Sequence, residues 1–324
     1  MNSKTASFFN YAAALVIILA LNFIMPRMMP GDPLQAIYGD EAMIAMTPEL
    51  KAELTSRFSL DRPMGRQFQS YIISLARGDL GYSYYYNAPV LKVILGSLPW
   101  TALLAGLALV LSTLLGLVLG IESGYRRGRP LDHALLAGLM ALGGLPDFFM
   151  GILLLLFFGV SLGLAPLAGA VTPYAGQNGL LAVLDILHHL ALPLAALVLV
   201  RITGAYLLAR NTMITTLGEA FIMTARAKGC AEPVIRYRHA GRNSLLPVVT
   251  AAGLQLSHLA SGALFIEIVF SYPGMGLLLY NSLLARDYPL IQGILLLVAV
   301  MVLGVNLAVD LLYRKIDPRV SYAH

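Results

Sequence analysis

Six stretches of this chain are each long and apolar enough to cross a lipid bilayer, and that pattern limits the fold more than any other feature. They run over 8–25, 99–121, 133–162, 190–209, 247–268 and 290–312. A hydrocarbon core about 30 Å thick needs roughly 20 helical residues. Inside it every backbone polar group must be satisfied within the protein, so the stretches are read as helices. Composition agrees. Hydrophobic residues make up 58% of the 324 and charged residues 12%, whereas a soluble domain carries about 25% charged residues. The expected class is an all-α integral membrane protein. The first stretch has only Lys4 ahead of it and no Ala-x-Ala site after it, so it is read as a retained helix rather than a cleaved signal.

Lys and Arg in the short loops orient the bundle. Loop 122–131 holds Arg126, Arg127 and Arg129, and the tail adds Arg314, Lys315 and Arg319. Loop 210–246 holds Arg210, Arg226, Lys228, Arg236, Arg238 and Arg242. Loop 163–189 has neither residue type, and 271–289 has only Arg286. Both termini are therefore expected in the cytoplasm, with the protein multi-pass in the cytoplasmic membrane. Loop 26–100 falls outside despite its seven Lys or Arg, because long loops cross largely regardless of charge. The division expected is 1–97, a membrane helix with an extracytoplasmic subdomain, and 98–320, a five-helix core with the cytoplasmic loop 210–246. In the subdomain Thr47 caps a helix opened by Pro48. Residues 63–77 form a second helix with Phe68, Tyr71, Ile72 and Leu75 on one face, and 82–86 form a short strand after the Gly78-Asp79-Leu80-Gly81 turn. The subdomain reads equally as a dock or lid and as a packing collar.

Several function classes are disfavoured. The single Cys230 leaves no disulfide framework and no cysteine-based zinc cluster. No phosphate-cradling Gly-x-x-x-x-Gly-Lys-Ser/Thr, His-Glu-x-x-His or Gly-x-Ser-x-Gly pattern occurs. Energy from nucleotide must then come from another polypeptide. The net charge of +5 fits basic cytoplasmic loops rather than nucleic-acid binding, which wants a clustered basic stripe on a soluble face.

Polar residues at membrane depth mark either a path or a packing bond. Gln255, His258 and Gly262 share one face of the fifth helix, Arg201 lies well inside the fourth, and Glu267 closes the fifth. Arg201 needs an acidic or carbonyl partner, and Glu267 or Asp310 is expected over a substrate carboxylate. Pro146 in the third helix removes a hydrogen bond and forces a kink. His188-His189 at the outer end of the fourth helix point about 100° apart on a helix, which disfavours joint metal ligation.

The basic loop reads as a docking element for a soluble partner, with Gly229 as a turn between two short helices. Its residues Thr224-Ala225-Arg226-Ala227-Lys228-Gly229, then Arg238-His239-Ala240 and Arg242-Asn243 before Leu246-Pro247, resemble the cytoplasmic loop of ABC importer permeases of the peptide/nickel class, first-permease subgroup. Other pieces agree in order: Pro30-Gly31-Asp32-Pro33, Gly78-Asp79-Leu80-Gly81-Tyr82-Ser83, Pro89-Val90, 267–270, Tyr272-Pro273-Gly274-Met275-Gly276, Arg286-Asp287-Tyr288-Pro289 and Asp317-Pro318-Arg319.

The resemblance implies a six-helix type I importer permease with a small extracytoplasmic subdomain between helices 1 and 2. It implies a coupling helix seated in a groove of an ATPase subunit, drawing on Glu219, Thr224, Ala225, Arg226, Lys228, Gly229, Arg238, His239 and Arg242. The family's acidic position is Met223 here, so no salt bridge arises from it. Implied partners are a second homologous permease, two ATPase subunits that use ATP and Mg, an extracytoplasmic binding protein and the lipid membrane. This chain would bind no cofactor, perform no hydrolysis and alternate between outward- and inward-facing states. The cargo would be peptides, nickel or metal chelates. A stand-alone secondary transporter or channel would need no such loop and often shows inverted repeats, and a membrane enzyme would need a catalytic cluster.

Overall fold

The computed structural model describes every residue except 1–2, 29–33, 35–42, 44–45, 58–62, 177, 256–262 and 317–324, and no side chain of 3–12, 26–27 or 308–316. Helix α1 is Ser3–Arg27, followed by α2 Pro48–Arg57 and α3 Met64–Ala76. Strands β1 Tyr82–Ser83 and β2 Ala88–Pro89 pair antiparallel. Then come α4 Val90–Tyr125, α5 Pro130–Gly143 and α6 Asp147–Leu154, which continues as a π-helix Leu155–Ser161. Helix α7 is Leu180–Leu217 and α8 Ala220–Ala227; a π-helix Val234–Gly241 runs into α9 Arg242–Gln255. The chain closes with α10 Leu264–Val269, α11 Met275–Leu284 and α12 Tyr288–Ile316.

Each apolar stretch coincides with helix, with three refinements. The third is broken rather than kinked: α5 and the helix beginning at Asp147 meet at 101°. Pro146 takes the N-cap position of α6 in extended backbone (ψ 144°), as its missing N–H and its clash with the preceding turn dictate. The fourth begins at Leu180, ten residues before the apolar stretch. The fifth is described as α9 and α10, with 256–262 outside the described residues. Region 271–289, read as a loop, holds the helix α11.

Two compact units emerge, Met1–Pro99 with Gly274–Gly304, and Trp100–Pro273 with Val305–His324. In the first, Val90, Ile94, Met275, Leu278, Leu290 and Ile294 form the buried core. Gly293 lets α12 meet α4 closely; a Cβ there would stand 2.4 Å from a Val90 methyl. The cap of α2 is as the sequence indicates, with Leu50 N–H donating to Thr47 Oγ1 (3.3 Å). Phe23 of α1 meets Phe68 and Tyr71 of α3 at ring-centroid distances of 5.0 and 5.8 Å.

In the second unit the main core gathers Leu104, Met150, Leu190, Leu197, Ile266, Phe270 and Tyr272. Helices α4 and α7 approach backbone to backbone along Gly116, Gly120 and Gly124. A Cβ on Gly120 would stand 2.6 Å from both Tyr206 O and Ala209 Cβ. Small residues at such spacing let membrane helices pack closely.

Candidate functional site

The candidate site is the segment 219–242 and the end of α4 that holds it. Helix α8 has an inner and an outer face. Ile222 and Ala225 point inward and are buried. Ile222 joins Ile121, Met213, Ile235 and Ala240 in a small core. Ile235 and Ala240 are five apart, the spacing that a π-helix brings onto one face. The outer face of α8 carries Phe221, Met223, Thr224 and Arg226, with Met223 68% exposed. The turn after α8 is Lys228-Gly229, and Gly229 takes φ +76°, a left-handed conformation that costs a side-chain-bearing residue about 1–2 kcal/mol.

One acidic residue fastens this segment to the helices. Arg236 Nη1 donates to both carboxylate oxygens of Glu122 (3.0 and 3.2 Å), and Tyr237 Oη donates to the same carboxylate. The Arg236 guanidinium also lies 4.2 Å from the Tyr125 ring centroid, a cation–π contact of about 0.5–1 kcal/mol. Burial works against the Arg236 charge, but the hydrogen bonds to Glu122 and Tyr237 outweigh it and raise its pKa.

One residue further along α4 a second polar layer begins. Ser123 Oγ donates to Asp132 Oδ1 (2.5 Å) and lies 2.7 Å from Tyr206 Oη. Gly128 N–H reaches Asp132 Oδ2 (2.9 Å), and Arg210 grips the same carboxylate with Nε (2.7 Å) and Nη2 (2.9 Å). Ser123, Asp132 and Tyr206 are buried. This bidentate pair joins α4, α5 and α7 with every carboxylate lone pair used, the condition under which a buried ion pair is tolerated.

Of the residues expected in the loop site, Glu219, Thr224, Arg226, Lys228, Gly229, Arg238 and Arg242 are exposed and His239 is half-buried. Ala225 departs from that set. At 7% exposure it packs inward, so its small size serves contact with the protein's own helices. Sequence reasoning passed over Phe221 and the anchoring residues Glu122 and Tyr125. The signal for Phe221 was an apolar residue set on a basic segment.

Among the expected path residues, Gln255 is exposed at the end of α9. His258 and Gly262 lie outside the described residues, as does the Asp310 side chain. Glu267 is wholly buried and accepts from Thr101 Oγ1 (2.6 Å). Arg201 does have an acidic partner, and it is Asp147 at the start of α6, with Nη2 and Oδ2 3.7 Å apart. His188 Nε2 lies 3.1 Å from Leu164 O, and His189 Nδ1 2.9 Å from Asp185 O. The first ties the start of α7 to the loop before it, and the second lies within α7.

In the other unit two motifs converge. Asp287, fully buried, accepts from Ser83 Oγ (2.5 Å), Tyr85 N–H (3.1 Å) and Leu290 N–H (3.2 Å). It thus caps α12 and fixes the β1–β2 hairpin at once. Asp79 Oδ1 accepts from Gly81 N–H (2.8 Å), and Gly78 and Gly81 both take positive φ.

Residues 112–322 match the family model described as the inner membrane component of binding-protein-dependent transport systems. The chain is 34% identical over 324 residues to the dipeptide transport system permease protein DppB of Escherichia coli K12, covering 94% of each. It is 33% identical over 321 residues to the di/tripeptide transport system permease protein DppB of Pseudomonas aeruginosa, again covering 94% of each. A putative peptide permease of Brucella suis biovar 1 is 36% identical over 310 residues, with 95% of each covered.

Proposed function

Because the chain belongs to the family of binding-protein-dependent transport system inner membrane components, and is thus an ABC transporter permease of the cell membrane, we propose that it carries small peptides inward as one half of a two-permease path. Two cytoplasmic ATPase subunits supply the energy from ATP and Mg, and an extracytoplasmic binding protein delivers the cargo. The peptide wording of the relatives' names favours peptides over nickel or metal chelates. Both termini and the segment 219–242 face the cytoplasm in this reading, in keeping with the Lys and Arg of loops 122–131 and 210–246.

The observation that carries the proposal is the two-faced build of α8. Its buried face is anchored by Ile222 and Ala225, and its outer face sets exposed Phe221 and Met223 beside Arg226 and Lys228. A short helix anchored on one side, with exposed apolar and basic residues on the rest of its surface, suits insertion into a groove. Glu219, Thr224, Gly229, Arg238, His239 and Arg242 complete the docking segment. When the ATPases close on ATP, the seated helices are displaced and the permease pair switches from inward- to outward-facing. This requires nucleotide to bind the two arrangements unequally.

Co-purification tests it. Met223→Asp alters an exposed position and spares the inner face, so the permease inserts and folds as before while its ATPases are lost from the purified complex. A Met223→Asp complex that retains its ATPases and hydrolyses ATP on addition of loaded binding protein refutes the docking assignment. Uptake of dipeptides by the reconstituted wild-type complex, with no uptake of Ni²⁺ or its chelates, is the expected cargo result.

A further inference from the structure

The turn that joins α4 to α5 displays two exposed arginines, Arg127 and Arg129, and neither makes an ion pair or a side-chain hydrogen bond among the described residues. The backbone beneath them is fixed. Arg129 N–H donates to Arg126 O (3.0 Å), and Gly128 between the two arginines takes φ +79°, a left-handed conformation that suits glycine. Gly128 N–H donates to Asp132 Oδ2 (2.9 Å), and Arg210 grips the same buried carboxylate.

The acids close by in sequence are already taken. Glu122 is held by Arg236, Tyr237 and Arg126, the last at 3.4 Å. Asp132 is filled by Ser123, Gly128 and Arg210. The turn therefore keeps an excess of positive charge, with Arg127 and Arg129 as its free carriers. Depth matters as much as charge. The apolar stretch 99–121 ends four residues before α4 does at Tyr125, about 6 Å at 1.5 Å per residue, and the next apolar stretch begins at 133. A headgroup layer is about 5–7 Å deep on each side of the hydrocarbon, so the turn stands among headgroups. Helix α5 continues from it with Leu131, Ala134, Gly138 and Ala141 exposed, a spacing that places them on one face. A Cβ on Gly138 would meet nothing within 4 Å. A partner that fits here carries negative charge at one end and an apolar body below it.

From this juxtaposition we propose that Arg127 and Arg129 form a site for the headgroup phosphate of an anionic phospholipid, whose acyl chains lie along the exposed face of α5. In the orientation proposed above the lipid belongs to the inner leaflet. The site is independent of the cargo and of the docking role of 219–242. The planar guanidinium fork matches phosphate oxygens. A zwitterionic headgroup offers the same phosphate but adds a cation, which the excess of positive charge disfavours. Each arginine near an anionic surface strengthens the attraction roughly fivefold, so the pair contributes on the order of 25-fold, less at high salt. Because Asp132 ties the turn to Arg210 of α7, a bound headgroup stabilises the junction of α4, α5 and α7.

The test uses the complete complex in nanodiscs of phosphatidylcholine into which phosphatidylglycerol is introduced stepwise. The readouts are the melting temperature and the phosphatidylglycerol retained in native mass spectrometry. The wild-type complex gains melting temperature and retains phosphatidylglycerol. Arg127→Gln/Arg129→Gln removes two exposed, unpaired charges, so it melts as wild type in phosphatidylcholine alone, but it needs at least tenfold more phosphatidylglycerol for the same gain. Arg66→Gln/Arg77→Gln removes equal charge from exposed positions on and beside α3 and responds as wild type. Equal responses from wild type and the 127/129 variant overturn the proposal. An equal loss in the 66/77 variant also overturns it, since the effect would then follow net charge alone. Soluble glycerol phosphate that stabilises the wild type in phosphatidylcholine as much as phosphatidylglycerol does would assign a free anion in place of a lipid. A 127/129 variant that loses its ATPases in phosphatidylcholine alone would make the arginines a protein contact, and refutes the lipid site.

Discussion

Gly120→Ala adds one methyl group where the structure has no room for it. The new Cβ would stand 2.6 Å from Tyr206 O, 2.6 Å from Ala209 Cβ and 3.0 Å from Arg210 N. Two of these three are backbone atoms of α7 and cannot rotate aside. Restoring ordinary contact at about 3.4 Å moves α4 and α7 apart by roughly 0.8 Å, and overpacking of this kind costs about 1–3 kcal/mol. Ser123 lies three residues on, and its 2.7 Å bond to Tyr206 would open toward 3.5 Å under the same shift, losing about 1 kcal/mol more. Replacing Gly by Ala within a helix returns about 1 kcal/mol, so the net loss is about 1–3 kcal/mol. Gly106→Ala on the same helix is the control, since a Cβ there meets nothing within 4 Å and only the propensity gain remains. Thermal denaturation of the purified protein in detergent, followed by size-exclusion fluorescence, should place Gly120→Ala below wild type and Gly106→Ala at or above it. Equal midpoints for the two variants would refute the close approach of α4 and α7 at Gly120.

Asp132→Asn leaves the Arg210 guanidinium without a carboxylate, a loss of about 3–5 kcal/mol, seen as lower yield and melting temperature; adding Arg210→Gln recovers part of it. Asp287→Ala removes the acceptor for Ser83, Tyr85 and Leu290, at about 1–3 kcal/mol for each buried group left unsatisfied, and exposes the 82–89 hairpin to limited proteolysis. Glu122→Ala strips Arg236 and Tyr237 of their shared acceptor. The expected outcome is a complex that keeps its ATPases but whose hydrolysis no longer rises with loaded binding protein.

Much of the architecture was legible because bilayer length and apolarity are local properties of a chain. The Thr47-Pro48 helix start and the helix at 64–76 were legible for the same reason, since caps and periodicity act over a few residues. What escaped was set by contacts distant in sequence. Asp132 and Arg210 are 78 residues apart, and nothing near either announces the other. Arg201 was recognised as needing an acid, but Asp147 reaches it only because α5 and α6 meet at a sharp break, which a proline in a sequence does not distinguish from a kink. Gly116, Gly120 and Gly124 recur every four residues, and that spacing was a readable sign of close helix contact. Met223 stood out for the acid it lacks, whereas its exposure is the physical point. The inward turn of Ile222 depends on Met213 and Ile235 supplying a core beneath α8, which the eight residues of that helix do not encode.

Three consecutive residues of α4 tie the loop surface to the helices behind it. Glu122 holds Arg236 and Tyr237, Ser123 holds Asp132 and Tyr206, and Gly124 lies against the backbone of Arg210. Successive helical positions point about 100° apart, so these neighbours address three different directions from one turn of helix. In the coupling proposed above, a displacement of 219–242 would enter the bundle at Glu122 and reach α5 and α7 through contacts that have little slack. The Asp132 carboxylate is saturated, and the glycine contact is already at backbone distance. Closely packed interfaces switch between discrete arrangements rather than deforming continuously. In the coupling proposed above, the end of α4 with α5 and α7 would therefore move as one body.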